Sequence, residues 1–535
     1  MKPGRLLDAA SAQAIGFAWL RAALAPAGPY GEAVFAQITP FAPGDESVAG
    51  ARAQRVARIA ADHSDAQLDA LREIVCDVPD ASAAIARASM GDLLEDANFL
   101  ELQRFFDACE RLDALAASDD LPRAVSPEVR DCAKALERGR AGRFGFYLDD
   151  AFDAALARAR ATHAQAQAEY DAAAGRAHAA VAAALDREIS LPEFIVMRAD
   201  LVGPLPVGVR VVRETPTYLL CELDADDSVL GALRRRDEAA AGLARAEEHV
   251  RAHLSATIRE YAAALDAAAR AFGEADVLIA AARFTRAQRC AVAVLSADGG
   301  LCFEGGRFAP LEHELKAQGR EFTPIDLQLD GIAVLTGPNM GGKSVALRTC
   351  GFIAACAAYG LPVPATRARL ALFEEIVWLG IGAGEDGVVG GLLSSFAREV
   401  VQLRDALADG GRPRLVLLDE FARTTTPREG RALLIAVIER LQAERACGLA
   451  ATHLGGVAEA AHVRHYAVRG LRGIPQRPTT DDLALALETL AASMDYRLEE
   501  VGGDRAREAD AIALAKLLGI DARVIDAAYE ALEPE

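Results

Sequence analysis

Along residues 1–185 apolar positions recur every three to four residues, the spacing of helices that bury one face. Clusters of Pro, Gly, Ser and Asp break the pattern at PAGPYGE (26–32), PFAPGDES (40–47) and SDDLPRAVSPE (118–128). LLEDANFLELQRFFDACERLDAL, 93–115, predicts a strongly amphipathic helix. From Asp153 to Glu188 there is no proline and a single glycine, Gly175, so one helix of about 50 Å is predicted at 1.5 Å per residue. The stretch 191–224 then turns to β-branched and aromatic runs split by Gly-Pro and Pro-Val-Gly, which predicts a small β element. Helical spacing resumes from about Asp227 to Phe284, so two long helices flank that element as an antiparallel pair with a tip domain. Beyond Arg289 the runs CAVAVL, GIAVLTG, RLVLLDE and RACGLAATH are short, apolar and each followed by a loop and a helical pattern. That alternation predicts an α/β domain with a largely parallel sheet over about 321–475. The tail, TTDDLALALETLAASMDYRLEEV and then READAIALAKLLGIDARVIDAAYEAL, ends in helix, and no internal repeat is found.

Composition narrows the class. The chain has 535 residues, room for roughly three domains. Half of it is apolar by count, much of that alanine, which suits long helices around a modest core and excludes general disorder. A net charge of −20 repels phosphate backbones and lowers the expectation of nucleic-acid binding without excluding a local basic patch. Only five of the 58 basic residues are lysines, so Lys343 stands where arginine is the rule. The nine cysteines form no CxxC pair or Cys/His cluster and predict reduced, buried thiols. Asp8 and Gln13 interrupt what would otherwise resemble a signal peptide, and no run of about 20 apolar residues exists, so a cytoplasmic protein without a membrane span is expected.

The candidate chemistry lies in the α/β region. Gly337-Pro338-Asn339-Met340-Gly341-Gly342-Lys343-Ser344 satisfies G-x-x-x-x-G-K-[ST] directly after the apolar run GIAVLT and before a helical one. Glycines let backbone N–H groups curl around phosphates, and the helix N-terminus adds its positive end. Lys343 is expected to reach the β and γ phosphates and the Ser344 hydroxyl to ligate Mg2+. Leu415-Val416-Leu417-Leu418-Asp419-Glu420 is an apolar run ending in two carboxylates, with Asp419 suited to the Mg2+ shell and Glu420 to polarising the attacking water. Following a phosphate loop, this pair argues for hydrolysis of ATP beyond nucleotide binding. A third run, GLAATHL, brings His453 to a strand end, where it either contacts the γ-phosphate region or is simply packed or solvated.

The motifs together resemble the MutS family of ABC-type ATPases. T-G-P-N-M-G-G-K-S looks like its phosphate loop, and LPVPATRARLALFEEIVWLGIGAGED (361–386) is similar to its segment between loop and signature. GLLSSFAREV (391–400) resembles its S-T-F-x-x-E signature, LLDEFARTTTPREG its D-E-x-x-R-G-T-S stretch, AATHLGG its A-T-H switch, and DYRLEEVGG with the final helical pattern its dimerising end. The resemblance implies an α/β P-loop NTPase preceded by a mostly α-helical core and lever domain with a small β clamp-like insert. It partitions the chain into an N-terminal helical segment (1–90), helical core and first lever (91–190), insert (191–226), second lever (227–288), ATPase domain (289–475) and C-terminal dimerisation region (476–535). It also implies a composite site in a homodimer or a heterodimer with a related chain. Ser394 would contact the γ-phosphate held by the other subunit, His453 would be the switch histidine, and Asn339, Met340 and Val345 would belong to the nucleotide-binding loop.

Departures from mismatch-repair members shape the expected role. No wedge domain carrying Phe-x-Glu is found, and no nuclease-like C-terminal extension. GRFGFYLDD (142–150) reads as a packed lead-in to the long helix. The insert from Asp186 to Asp227 holds four arginines against nine acidic residues, 4 − 9 = −5, the wrong sign for a phosphate-neutralising surface. Arg234-Arg235-Arg236 reads as a solvated helix face. Val345 follows the loop serine where the family has Thr, Ser395 replaces the signature Thr, and Arg423-Thr424-Thr425-Thr426-Pro427 replaces the R-G-T-S run. This set of variants looks most like the branch that accompanies cobalamin-dependent lysine or ornithine aminomutases as a reactivating factor. The competing expectation is a mismatch-repair-type ATPase on structured DNA, and a non-catalytic adaptor is disfavoured by intact Lys343, Asp419 and Glu420.

Overall fold

The computed structural model describes residues 1–141, 145–189, 193–201, 203–298, 300–338, 341–380, 400–404, 407, 412–423, 425–471, 493–502, 512, 515 and 520–531. The chain forms two compact units. The first comprises Met1–Asp77, Arg111–Arg123 and Arg270–Glu535, and the second Val78–Glu110 and Ala124–Ala269. The first begins with a short helix, α1 (Ala9–Ala14), N-capped by Asp8.

In the second unit the predicted long helices are present with adjusted ends. Helix α2 runs Ala154–Ala184, capped by the Asp153 carboxylate, and stops short of Glu188 because Asp186 adopts a left-handed conformation (φ 46°). Helix α3 runs Asp227–Glu260 and is capped by Asp226. A further helix, Ala262–Ala287, follows, and the break at Tyr261 falls where no glycine or proline marks it. The ion pairs Arg160–Glu247 and Arg235–Glu169, with Arg236 over the Tyr170 ring, advance along α2 as they retreat along α3, so the two helices are antiparallel. Alanines make this close pairing possible: Ala173 and Ala232 are buried at the seam with Val229. Arg235 is thus engaged with Glu169, and the half-buried Arg236 with Asp237 and Tyr170. Phe146 lies against Phe99 and Phe152, so GRFGFYLDD contributes to packing.

Between α2 and α3 the insert forms an antiparallel sheet of β1 (Glu193–Met197), β2 (Val209–Glu214) and β3 (Tyr218–Leu223), with β3 central. The alternation of EFIVM turns Phe194 and Val196 inward against Leu219, Cys221 and Val181, while Ile195 and Met197 stay exposed.

The first unit is built on a six-stranded sheet. Its strands are β4 (Ile332–Thr336), β5 (Glu375–Gly380), β6 (Arg414–Asp419), β7 (Cys447–Ala451), β8 (Arg464–Leu471) and β9 (Met494–Glu500). The order is β5-β6-β7-β4-β8-β9, parallel except for the last pair. Continuous apolar runs suit strands covered on both faces. One face packs α5 (Pro427–Ala443) and the short α6 (Val457–Ala460) over Val334, Val416, Leu418 and Ala450. The other receives α4 (Lys343–Ala358), which is apolar almost all round. At Gly351 a side chain would collide with Ile15 at 2.5 Å and Leu417 at 3.1 Å, so this glycine lets α4 lie between the sheet and the N-terminal segment.

Two strand expectations need correction. DYRLEEV is strand β9, not part of a helical tail: Tyr496 and Leu498 alternate with Arg497 and Glu499 along the sheet edge. CAVAVL contributes only Val294–Leu295, and it joins a separate four-stranded sheet with Leu301–Gly306, Ile325–Leu329 and Arg367–Leu370. Among the described residues no helix is long and apolar enough to cross a membrane.

Candidate active site

The site lies along the carboxyl edge of the parallel strands, where β4, β6 and β7 end. The register places Asp419 beside Ala451, and Thr452 N–H donates to Leu335 O at 3.0 Å, so the three strand ends are level. Gly337 leaves β4 with φ 148° and lies so close to Val468 that an added Cβ would stand 2.9 Å from the Val468 Cβ. Gly342 (φ 85°) opens α4, and its added Cβ would meet the Tyr496 ring at 3.2 Å. At Gly337 a side chain is excluded by conformation and space, and at Gly342 it would be strained and crowded. Asn339 and Met340 lie outside the described residues, as does Ser394.

Lys343 is buried, 5% exposed, and its Nζ donates to the carbonyls of Gly337 at 3.0 Å and Pro338 at 3.2 Å. It also stands 3.5 Å from Glu420 Oε1. The Ser344 hydroxyl donates to Asp419 Oδ1 at 2.9 Å. Burial raises the Asp419 carboxyl above the usual Asp range; the Ser344 hydrogen bond opposes this and the neighbouring Glu420 charge adds to it. Glu420 follows β6 in the left-handed region (φ 52°), and so does Ala422 (φ 62°). Two non-glycine residues at positive φ in one turn cost conformational energy, and the turn aims the Glu420 carboxylate back at Lys343. Val345 lies in the first turn of α4, and His453 is exposed two residues beyond β7.

Several neighbours of the site were not among its expected residues, although Arg423 lies in the quoted LLDEFARTTTPREG stretch. Arg423 pairs with Oε2 of Glu420 at 3.0 Å, the carboxylate oxygen that Lys343 does not face. Arg431 donates to the carbonyls of Gly455 and Gly456, both at 2.9 Å, and so fixes the turn after His453 to helix α5. Arg348 lies over the Trp378 ring and its charge acts on Asp419. The departure from R-G-T-S also gains a local reason: Thr426 caps α5 and Pro427 takes its first position.

The constellation suits a nucleoside triphosphate and its divalent cation. Gly337 and Gly342 keep side chains off the two ends of the loop, and a buried lysine is held on backbone carbonyls. A carboxyl raised by burial, adjoining a serine hydroxyl, is an oxygen donor pair that a hard cation would favour. Among the described residues no three His, Cys, Asp or Glu gather as a metal site, so an ion here would complete its shell from phosphate oxygens and water.

Residues 333–534 match the family described as MutS domain V. The chain is 30% identical over 441 residues to the DNA mismatch repair protein MutS of Nitrobacter hamburgensis, covering 75% of this chain and 47% of that protein. It is 29% identical over 496 residues to DNA mismatch repair protein MutS 1 of Halobacterium salinarum, covering 81% and 55%. With the Endonuclease MutS2 of Pelotomaculum thermopropionicum it shares 31% over 221 residues, 41% of this chain and 27% of that protein. The matches thus span about half or less of these relatives' own length.

Proposed function

From the MutS-family placement that these matches support, we propose that the chain is a Mg2+-dependent ATPase that works as a dimeric conformational machine. The observation that carries this reading is the meeting of Lys343, Ser344, Asp419 and Glu420 at one sheet edge. Lys343 exchanges its two carbonyl acceptors for β and γ phosphate oxygens. Ser344 and Asp419 hold the cation, which when bound offsets phosphate charge. Glu420 orients the attacking water and takes up its proton, and His453 faces the γ-phosphate. Ser394 completes the partner subunit's site, whether that partner is a second copy or a related chain.

For the load, we favour a protein over DNA, specifically a cobalamin-dependent aminomutase that the dimer pries open for reactivation. Support comes from the −5 charge of the insert between Asp186 and Asp227 and from the variant motifs GGKSV and DEFARTT. The second reading, an ATPase acting on mismatched or structured DNA, draws on the printed names of the relatives.

The decisive assay is ATP hydrolysis by the full chain with Mg2+. Glu420→Gln is expected to keep ATP binding and to lose about 10²–10⁴ in turnover, the range for a general base. Lys343→Ala should weaken ATP binding itself. A Glu420→Gln protein that turns over at the wild-type rate removes Glu420 from the mechanism, and a wild-type chain that neither binds nor hydrolyses ATP removes the proposal.

A further inference from the structure

Strand β8 supports the phosphate loop at two points, and only one of them is steric. Val468 closes on Gly337, as described. One residue earlier, Thr336 ends β4, and its Oγ1 lies 2.7 Å from Nε2 of His465 on β8. The two strands are parallel with His465 level with Val334 and Ala467 level with Thr336, so the imidazole reaches diagonally up to the threonine. Val334 on this side of the sheet belongs to the apolar core beneath α5 and α6. A histidine there, its side chain 8% exposed, is more polar than packing requires.

Nδ1 is buried and has no hydrogen-bond partner among the described residues, and the Glu459 carboxylate on α6 stands 3.9 Å away. The Thr336 hydroxyl can donate or accept, so it bonds Nε2 in either neutral tautomer of the ring. That bond fixes the Thr336 rotamer at the point where the chain leaves the sheet for the loop.

We infer that His465 is a positioning residue for ATP binding, acting through Thr336 on the start of the phosphate loop. This rests on the reading of the loop as an ATP site. Fixing the residue from which the loop starts lowers the ordering cost that the nucleotide would otherwise meet, so affinity is affected more than the chemical step.

The test is equilibrium binding of mant-ATP with Mg2+ and steady-state hydrolysis, both on the full chain. His465→Phe and Thr336→Val should each weaken binding about five- to tenfold while kcat stays within about twofold, and the double variant should be no weaker than either single. His465→Gln, which keeps an N–H donor, should recover most of the affinity. Thr336→Val is nearly isosteric, so it remains informative if the ring substitution disturbs folding. Unchanged binding in both single variants, additive losses in the double, or losses that follow a fall in melting temperature with Gln no better than Phe would each overturn the inference. If wild-type protein does not bind mant-ATP, the ATP-site reading fails first; if it binds and the variants match it, only the role of His465 fails.

Discussion

Asp419 shows how the site sets function against stability. Burial raises its carboxyl pKa, so the folded state keeps the proton to higher pH than the unfolded chain does. Its contribution to stability is therefore full below the unfolded value of about 3.9 and is lost as pH rises through the folded value. Asp419→Asn should raise the melting temperature at pH 7, and that gain should shrink as the pH falls, because more of the folded wild-type protein then carries the proton at this position. A thermal-denaturation series showing no gain at neutral pH would contradict the argument. Four residues of this centre, Lys343, Ser344, Asp419 and Glu420, were legible from one motif and one apolar run, because phosphate chemistry demands fixed residue types at fixed spacing. Arg431 was not, and Arg423 was seen only as part of a motif stretch, without its pairing to Glu420. Arginine is the ordinary basic residue of this chain, and only folding shows which ones reach Glu420 or the 455–456 turn.

At the scale of elements, the N-terminal segment protects the sheet. β5 is an edge strand, with outward N–H groups that would otherwise be open to pairing. Ile376 N–H donates to Leu6 O at 2.8 Å, and Trp378 N–H donates to the Ser11 hydroxyl of α1 at 2.9 Å. Ser11→Ala leaves a buried amide unmatched and should cost about 1–3 kcal/mol, measured by urea unfolding. An unchanged midpoint would mean that the edge is satisfied in another way. Helix α5 offers the opposite case. Its end is closed by Arg445 at φ 56°, a position that glycine normally fills. Arg445→Gly should stabilise the protein by about 1 kcal/mol by relieving the left-handed strain, and a lower unfolding midpoint would refute this. Pattern alone located α2, α3 and the strands β4, β6 and β7, while β5 and β8 were not picked out. It misassigned β9, whose short alternating stretch follows a long helical pattern and becomes a strand only because β8 offers an edge.

For the whole molecule, the net charge of −20 and the acidic insert bear on the load. Hydrolysis by the wild-type chain is expected to be indifferent to heteroduplex or branched DNA. Stimulation by DNA, with binding that falls about 10³–10⁵-fold between 50 and 200 mM salt, would transfer the proposal to the DNA reading. Ser394→Ala should depress turnover, and mixing it with Glu420→Gln should restore part of the activity if sites are shared across a dimer; no restoration would argue for a self-contained site. The sequence by itself determined the G-x-x-x-x-G-K-S motif and the carboxylate pair, the long helices with a β element between them and the sign of that element's charge, because motif spacing, hydrophobic period and composition are local properties of the chain. Only the tertiary structure decided that residues 6–11 seal the edge of the six-stranded sheet, that His465 bonds the last residue before the glycine-rich loop, and that Arg423 and Lys343 share Glu420. Each of these joins residues distant in the chain or lacking a spacing rule, and their energies arise only when burial removes water from the competing hydrogen bonds and charges.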